Sequence, residues 1–360
     1  MSSVSSLTVT GYKSIRHLSN FKLDSLNVLI GSNGAGKSNF INIFRLLNEM
    51  YEKQLQLYVQ KQGGPDALLH FGRSSTERLH AEFYFANNGY KFDLVPTADN
   101  RLVFESEHSW FGGYLYPTNS SVILGRGHTE SALKDAQDNY SKFVRPSVSN
   151  WRVYHFHDTS ETAKVKQKHA ANDNLRLKID AANLAAYLRM LKVKHEKEYK
   201  RIIETIRLVL PFFDDFIHRS DDSEYVELEW TQKGKPDTPF KAHMLSDGSL
   251  RFICLATLLM QPIALLPDTL LIDEPELGLH PYAITVLVDM FKQVAEDRQL
   301  IVSTQSVELV NELSPNDVIV VDQDDGVSTF KRYTEQELSG WLEEYSMGEI
   351  WKRNILGGRP

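Results

Sequence analysis

The sequence predicts an α/β fold interrupted in its middle. It combines a mixed sheet flanked by helices, an antiparallel β subdomain and a mostly helical insertion. Three observations predict it. An apolar strand, LNVLI, runs straight into a glycine-rich turn and then a long run of helix formers. A stretch soon afterwards alternates with period two, and far downstream a second apolar strand, TLLI, ends in two carboxylates.

Taken in order, LTVTGYKSI and LNVLI are the first strands, and NFINIFRLLNEMYEKQLQLYV is helical by length and composition. KQGGPDALLHFGRSS reads as loop. LHAEFYFANNGYKFDLV and RLVFES alternate, with Asn-Asn-Gly placed as a turn between strands. Between Gly112 and Asn174 the pattern weakens, and TSETAKVKQKHAANDN reads as a mobile loop. A strongly helical run, AANLAAYLRMLKVKHEKEYKRIIETIRLVL, follows and stops at Pro211. Its stripes Leu184, Leu188, Leu191 and Ile202, Ile206, Leu210 are packing surfaces, and Glu196 with Lys200 marks an exposed face. YVELEW is strand-like, KGKPD a turn, DVIVVDQDDGVSTFKRY a strand–turn–strand, and GWLEEYSMGEIWKRN surrounds a final helix. The expected division is residues 1–110 with the glycine-rich turn and antiparallel sheet, an insertion at 111–241, and 242–360 completing the first lobe.

Composition narrows the classes. A chain of 360 residues with 42% hydrophobic and 24% charged side chains suits one large domain with an insertion, or two lobes. The net charge of -7 argues against blanket attraction to nucleic acid, while leaving room for a local basic strip. The single cysteine, Cys254, excludes an internal disulfide and a thiolate zinc site, and in FICLATLLM it reads as a buried small hydrophobe. The start MSSVSSLTVTGYKSIRHL has no apolar signal core, and no run approaches about twenty apolar residues. The expectation is a soluble, cytoplasmic protein without a membrane partner.

Gly31, Ser32, Asn33, Gly34, Ala35, Gly36, Lys37 and Ser38 spell GSNGAGKS, a full GxxxxGK[ST] match between a strand and a helix. The glycines let the backbone turn tightly and aim N–H groups at phosphate oxygens, and the helix adds its positive end. Lys37 then bridges the outer phosphates of ATP and Ser38 ligates Mg²⁺. In TLLIDEP, Asp273 suits the Mg²⁺ shell and Glu274 can deprotonate an attacking water. In MLSDGSLRFICLA, Ser246 and Gly248 open an apolar helix whose N-terminus could receive an anion; a plain helix cap is the alternative.

The ordered set GSNGAGKS, LSDGS, LLIDEPELGLHP and IVSTQS resembles the ABC ATPase heads of the SMC, RecF and OLD-like group. It is closest to the compact prokaryotic AAA-family ATPases of that group, many of which sit in antiphage defence loci. The likeness covers the chain up to about residue 90 and everything after Ala242. It implies that Leu245, Ser246, Asp247, Gly248 and Ser249 are the ABC signature, completing the ATP site of the opposite protomer in a homodimer. Asp247 stands where many ABC proteins have glycine. By the same resemblance Glu276 to His280 are the D-loop, and Lys13 and Arg16 contact nucleotide, with a loop base as the plain alternative. Gln305 occupies a switch position that commonly carries histidine; glutamine hydrogen-bonds but carries no charge, which predicts slow hydrolysis. Phe71, Gly72 and Arg73 fall where a Q-loop is expected, without its glutamine.

The resemblance implies an ATP-dependent dimeric switch controlling a separately encoded effector, a nuclease or toxin. Lys164 to Lys168 are read as a solvated loop, with sensing of a partner or nucleic acid as the alternative. A DNA-repair or chromosome ATPase would share the heads but should carry long arms or a basic surface. A Toprim nuclease would need more chain after Asp322 and Asp324, which read as a hairpin turn. A small-molecule kinase would leave LSDGS without a reason.

Overall fold

The computed structural model describes residues 3–112, 120–219 and 223–359. The chain opens with a hairpin, β1 (Ser6–Tyr12) and β2 (Ile15–Lys22), followed by β3 (Leu26–Ile30) and helices α1 (Lys37–Tyr51) and α2 (Leu55–Gln62). A meander of β4 (Leu79–Phe85), β5 (Asn88–Pro96), β6 (Leu102–Phe111) and β7 (Ser120–Gly125) leads to α3 (Asn139–Ser149) and β8 (Arg152–Tyr154). The middle of the chain holds β9 (His169–Ala170), α4 (Leu184–Lys194), α5 (Glu196–Val209), β10 (Phe213–Phe216), β11 (Tyr225–Val226), β12 (Glu229–Gln232) and β13 (Lys235–Lys241). Then come α6 (Asp247–Met260), β14 (Thr269–Asp273), α7 (Pro281–Ala295), β15 (Gln299–Thr304) and α8 (Val307–Asn311). The chain finishes with β16 (Val318–Asp324), β17 (Val327–Arg332), α9 (Glu335–Leu342) and α10 (Met347–Lys352).

Two six-stranded sheets result. One runs β17-β16-β3-β15-β14-β8 and is parallel except for β17; the other runs β2-β1-β4-β5-β6-β7 and is antiparallel. The uninterrupted apolar spelling of LNVLI and TLLI follows from burial on both faces of the first sheet. Leu29, Leu271 and Ile301 point into a core shared with α1 and the antiparallel sheet. Their neighbours Val28, Ile30, Leu270, Ile272, Leu300 and Val302 point into the other core, with α6 and α7. Trp151 is 1% exposed and packs edge-on to Phe44 at 5.0 Å between ring centroids. Cys254 lies in the second core, where burial pushes its thiol up to about 12.

The antiparallel sheet is pinned by a buried carboxylate. Glu107 accepts from Tyr90 Oη at 2.6 Å and Ser131 Oγ at 2.5 Å on one oxygen. Its other oxygen accepts from His128 Nε2 at 2.7 Å and the Ala132 N–H at 2.9 Å. Burial pushes its pKa up, but these hydrogen bonds more than offset that and hold the carboxyl below its usual range.

Several local expectations are corrected. LTVTGYKSI is not one strand: Lys13 turns left-handed at φ 48, and Tyr12 pairs across a hairpin with Ile15. The first helical run breaks into α1 and α2 at Lys53, which has φ 58, and the second into α4 and α5 at His195. The segment read as a mobile loop is packed, because Ala163 and Val165 enter the core and Lys166 Nζ donates to Thr159 O at 2.5 Å. Residue 110 marks no change of layer, since β6 runs across it and β7 and α3 stay with the antiparallel sheet. β8 then joins the parallel sheet beside β14, so the helical lobe leaves the core after β8. Three strand residues are too few to show a period. Besides α4 and α5, that lobe carries the small sheet β10-β12-β13 and the ribbon β9-β11. Among the described residues no helix is long and apolar enough to cross a membrane.

Candidate functional site

The glycine-rich turn links β3 to α1, and each glycine has a separate reason. Gly31 has φ 154, and a Cβ there would overlap the Val321 carbonyl of β16. Gly36 has φ 115, and its Cβ would overlap the Ser328 hydroxyl of β17. Gly34 meets no neighbour, but its φ of 83 is left-handed. α1 starts on Gly36 with no side-chain cap and no acidic residue in its first turn, so its positive end is left for an anion. Asn33, Gly34 and Ser38 are exposed along the turn. Lys37 is 5% exposed, with Nζ donating to Gly31 O at 2.6 Å and Ser32 O at 3.0 Å. Burial lowers its pKa, opposed by Glu274, Asp273 and Glu276, so lysine and carboxylates share one field.

Because β3, β15 and β14 are parallel neighbours, their C-terminal ends share one edge. Ligands bind at that edge in open α/β sheets. Asp273 stands opposite Ser303, whose hydroxyl donates to Asp273 Oδ1. Glu274 adopts φ 44, a left-handed conformation that is costly for a non-glycine, and its N–H donates to Ser303 O at 3.0 Å. The structure brings the two catalytic candidates together: Gln305 Nε2 donates to Glu274 Oε1.

Glu276 holds this arrangement from behind. Its Oε1 accepts from Thr304 Oγ1 at 2.6 Å and from the Gln305 N–H at 3.0 Å. It is 7% exposed, and its Oε2 has no hydrogen-bond partner among the described residues. Burial raises its pKa, and the two hydrogen bonds only partly offset that.

Leu245 is buried, while Ser246 and Asp247 are exposed at the start of α6, where Ser246 caps the helix by accepting from the Ser249 N–H at 3.2 Å. A Cβ at Gly248 would overlap the Gly278 carbonyl, so the start of α6 touches the segment Glu276–His280 directly. Arg251 ties that helix to the end of β8, donating to Phe156 O at 2.9 Å and His157 O at 3.2 Å. Asp247 has a cation 3.8 Å away, Lys166 Nζ from the inserted lobe.

Other predicted residues point elsewhere. Lys13 Nζ donates to Gln62 Oε1 at 3.2 Å, and Arg16 is exposed on β2. Arg73 is engaged by Asp66 and Asn100, and Phe71 lies over His70. Asp322 and Asp324 sit on the β16–β17 hairpin, as expected of a turn. Three contributors were missed. Ser328 Oγ donates to Ala35 O at 2.5 Å, and Ser14 Oγ accepts from Asn39 Nδ2 at 2.7 Å, so both brace the turn. His157 Nε2 donates to Asp273 O at 2.9 Å. All three reach the site from distant segments. For His157 the available signal was a histidine pair just after a short apolar strand.

Residues 26–311, well over half of the chain, match the family described as AAA domain, putative AbiEii toxin, Type IV TA system. No curated protein matches significantly. The fold is similar to that of an Smc head bound to the C-winged helix domain of ScpA, at 17% identity and a TM-score of 0.62, covering 93% of this chain and 99% of that one. It is also similar to an Smc head with an extended coiled coil, bound to the C-terminal domain of ScpA from Pyrococcus furiosus; identity is 16%, the TM-score 0.58 and the coverage 95% and 98%. The chain belongs to this AAA-domain family and has the P-loop ABC-type head fold seen in the SMC heads.

Proposed function

We propose that the protein binds and hydrolyses ATP, and that its ATP-bound homodimer is a switch. The observation that carries this reading is one strand edge that gathers the Lys37 turn, Asp273, Glu274 and Gln305. The turn amides and Lys37 hold the phosphates, while Ser38 and Asp273 supply hard oxygen ligands suited to Mg²⁺. When bound, that ion neutralises phosphate charge. Glu274 accepts a proton from the attacking water, and Gln305 fixes its carboxylate. Arg16, exposed on β2, is the basic contact proposed from this hairpin.

Ser246 and Asp247 are exposed at the start of α6, as a surface that completes a partner's site must be. Met244 is exposed two residues before Ser246, and Leu277 and Tyr282 are exposed on either side of the segment whose Gly278 meets α6; all three offer apolar area for the same contact. Hydrolysis then removes the γ-phosphate joining the protomers and loosens the dimer. The family description, which names a toxin and a toxin–antitoxin system, supports a defence context; a cytoplasmic location and a separately encoded nuclease or toxin as effector complete the reading by resemblance of the motifs.

The test is ATP turnover beside light scattering on the wild type and Glu274→Gln. An ATP-dependent dimer that the variant traps, with turnover lost by about a hundredfold or more, supports the switch. A monomer with unchanged turnover overturns it.

A further inference from the structure

The inserted lobe holds a cavity of about 350 Å³, walled by residues between Lys168 and Lys241. Its lining is electrically unbalanced, with four cationic side chains, Lys168, Arg189, Arg219 and Lys241, against two anionic ones, Glu227 and Glu229. Arg219 is bidentate with Glu229 at 2.7 and 2.9 Å, and Lys241 bonds Glu227 at 2.9 Å. Both carboxylates are therefore committed. Arg189 is half-buried, and among the described residues neither it nor Lys168 forms an ion pair.

Behind one wall, reaching the cavity through His218, lies a hydrogen-bonded relay whose proton positions follow from valence. Asp215 accepts from Lys192 Nζ at 3.0 Å and from Tyr199 Oη at 2.6 Å. Tyr199 thereby spends its only proton, so the 3.0 Å contact with His218 Nε2 must be donated by the histidine. His218 is then the Nε2–H tautomer, with the lone pair on Nδ1. Burial, with Lys192 and Arg189 nearby, pushes its pKa down to about 4, so the ring is neutral at pH 7. A half-exposed Asp215 and a buried Tyr199 that together orient a neutral histidine at a cavity wall prepare a polar contact for a ligand.

We propose that this cavity is a second ligand site, taking a phosphorylated small molecule of nucleotide size. Arg189 and Lys168 meet the phosphate, His218 Nδ1 accepts from a hydroxyl or N–H of the ligand, and Phe216 and Tyr225 offer apolar faces. The cavity volume lies in the range of small-molecule pockets. The site is separate from the P-loop edge, although Lys168 is only two residues from Lys166, which pairs with Asp247 of the signature.

The experiment uses the full chain carrying Lys37→Ala, which weakens phosphate binding at the P-loop. The probes are 5′-AMP, inorganic phosphate and adenosine, followed by calorimetric titration. AMP should bind, phosphate more weakly, and adenosine least. Arg189→Ala with Lys168→Ala should weaken AMP by about tenfold or more while leaving the melting temperature and circular dichroism unchanged. Nitrogen NMR should show His218 protonated at Nε2, with the Nδ1 resonance moving on AMP addition. Failure of AMP and phosphate to bind, or equal affinity in the double variant, overturns the proposal. So does a 5′-phosphorylated oligonucleotide that binds far more tightly than AMP through the same residues, which would make the occupant a nucleic-acid end. Neither outcome bears on the P-loop reading, which stands or falls on Glu274→Gln.

Discussion

Two of the molecule's buried glutamates, Glu107 in the antiparallel sheet and Glu276 just beyond β14, are treated oppositely. Glu107 of the antiparallel sheet is 0% exposed and has four donors across its two oxygens, which hold its carboxyl below the usual range. Glu276, beside the catalytic edge, is 7% exposed and leaves one oxygen unpartnered, with its pKa raised. A buried polar group with every bond made rigidifies a fold, whereas one left short costs stability and persists where function needs it. Glu107 is therefore a structural pin, and under the proposed function Glu276 is a positioning residue that acts through Gln305.

Exchanging the two losses is the sharpest way to break this contrast. Glu276→Ala removes the acceptor for Thr304 Oγ1 and the Gln305 N–H, freeing the side chain that bonds Glu274. Turnover should fall by about a hundredfold, mainly in kcat, with the melting temperature little changed and Glu276→Gln partly restoring the rate. Glu107→Ala should do the reverse. It strands Tyr90, Ser131 and His128 around a lost carboxylate and should cost about 3–5 kcal/mol in denaturant unfolding, with turnover per folded molecule unchanged. A Glu107→Ala protein of normal stability would end the distinction.

The two glutamates should also separate with pH. Glu107 has a folded pKa below its ordinary value of 4.5, so its contribution is present above that value and lost as pH falls through the folded one. Glu276 has a folded pKa above 4.5, so its penalty is absent in acid and grows as pH rises from 4.5 through the raised value. Glu107→Gln should therefore flatten the acid limb of the stability curve. Glu276→Gln should raise stability near neutral pH and leave the acid limb alone. Denaturant midpoints across pH 3 to 8 would measure both, and matching shifts in the two variants would refute the assignment.

What was legible in the sequence divides along the same line. The P-loop and Asp273 with Glu274 are contiguous motifs whose chemistry depends on local backbone and whose spacing exposes them, whereas LSDGS and Gln305 were singled out by the family resemblance. Ser14, His157 and Ser328 reach the site only through strand pairing and turn contacts across the chain, as do the Glu107 donors. No periodicity encodes such contacts. Lys13 shows the converse, because a left-handed turn carries its ammonium to Gln62 although a basic residue at a strand end suggested phosphate.

Gln305 is the finest test of the contrast, because it joins the under-satisfied Glu276 to Glu274, the proposed base. Its amide donates to Glu274 Oε1 at every pH, and its backbone N–H is held by Glu276. Gln305→His would keep a donor at that place but make it titratable, with an ordinary pKa of about 6.5. A protonated imidazole beside Glu274 should hold the carboxylate as an ion pair and weaken it as a base, whereas the neutral ring leaves it free to act. Turnover of the variant should therefore rise with pH through the histidine titration by less than about tenfold, against a flat wild-type profile in that window. A flat profile in both proteins would mean that Gln305 touches Glu274 without governing it. The catalytic role of Glu276 would then have to run through Thr304 instead.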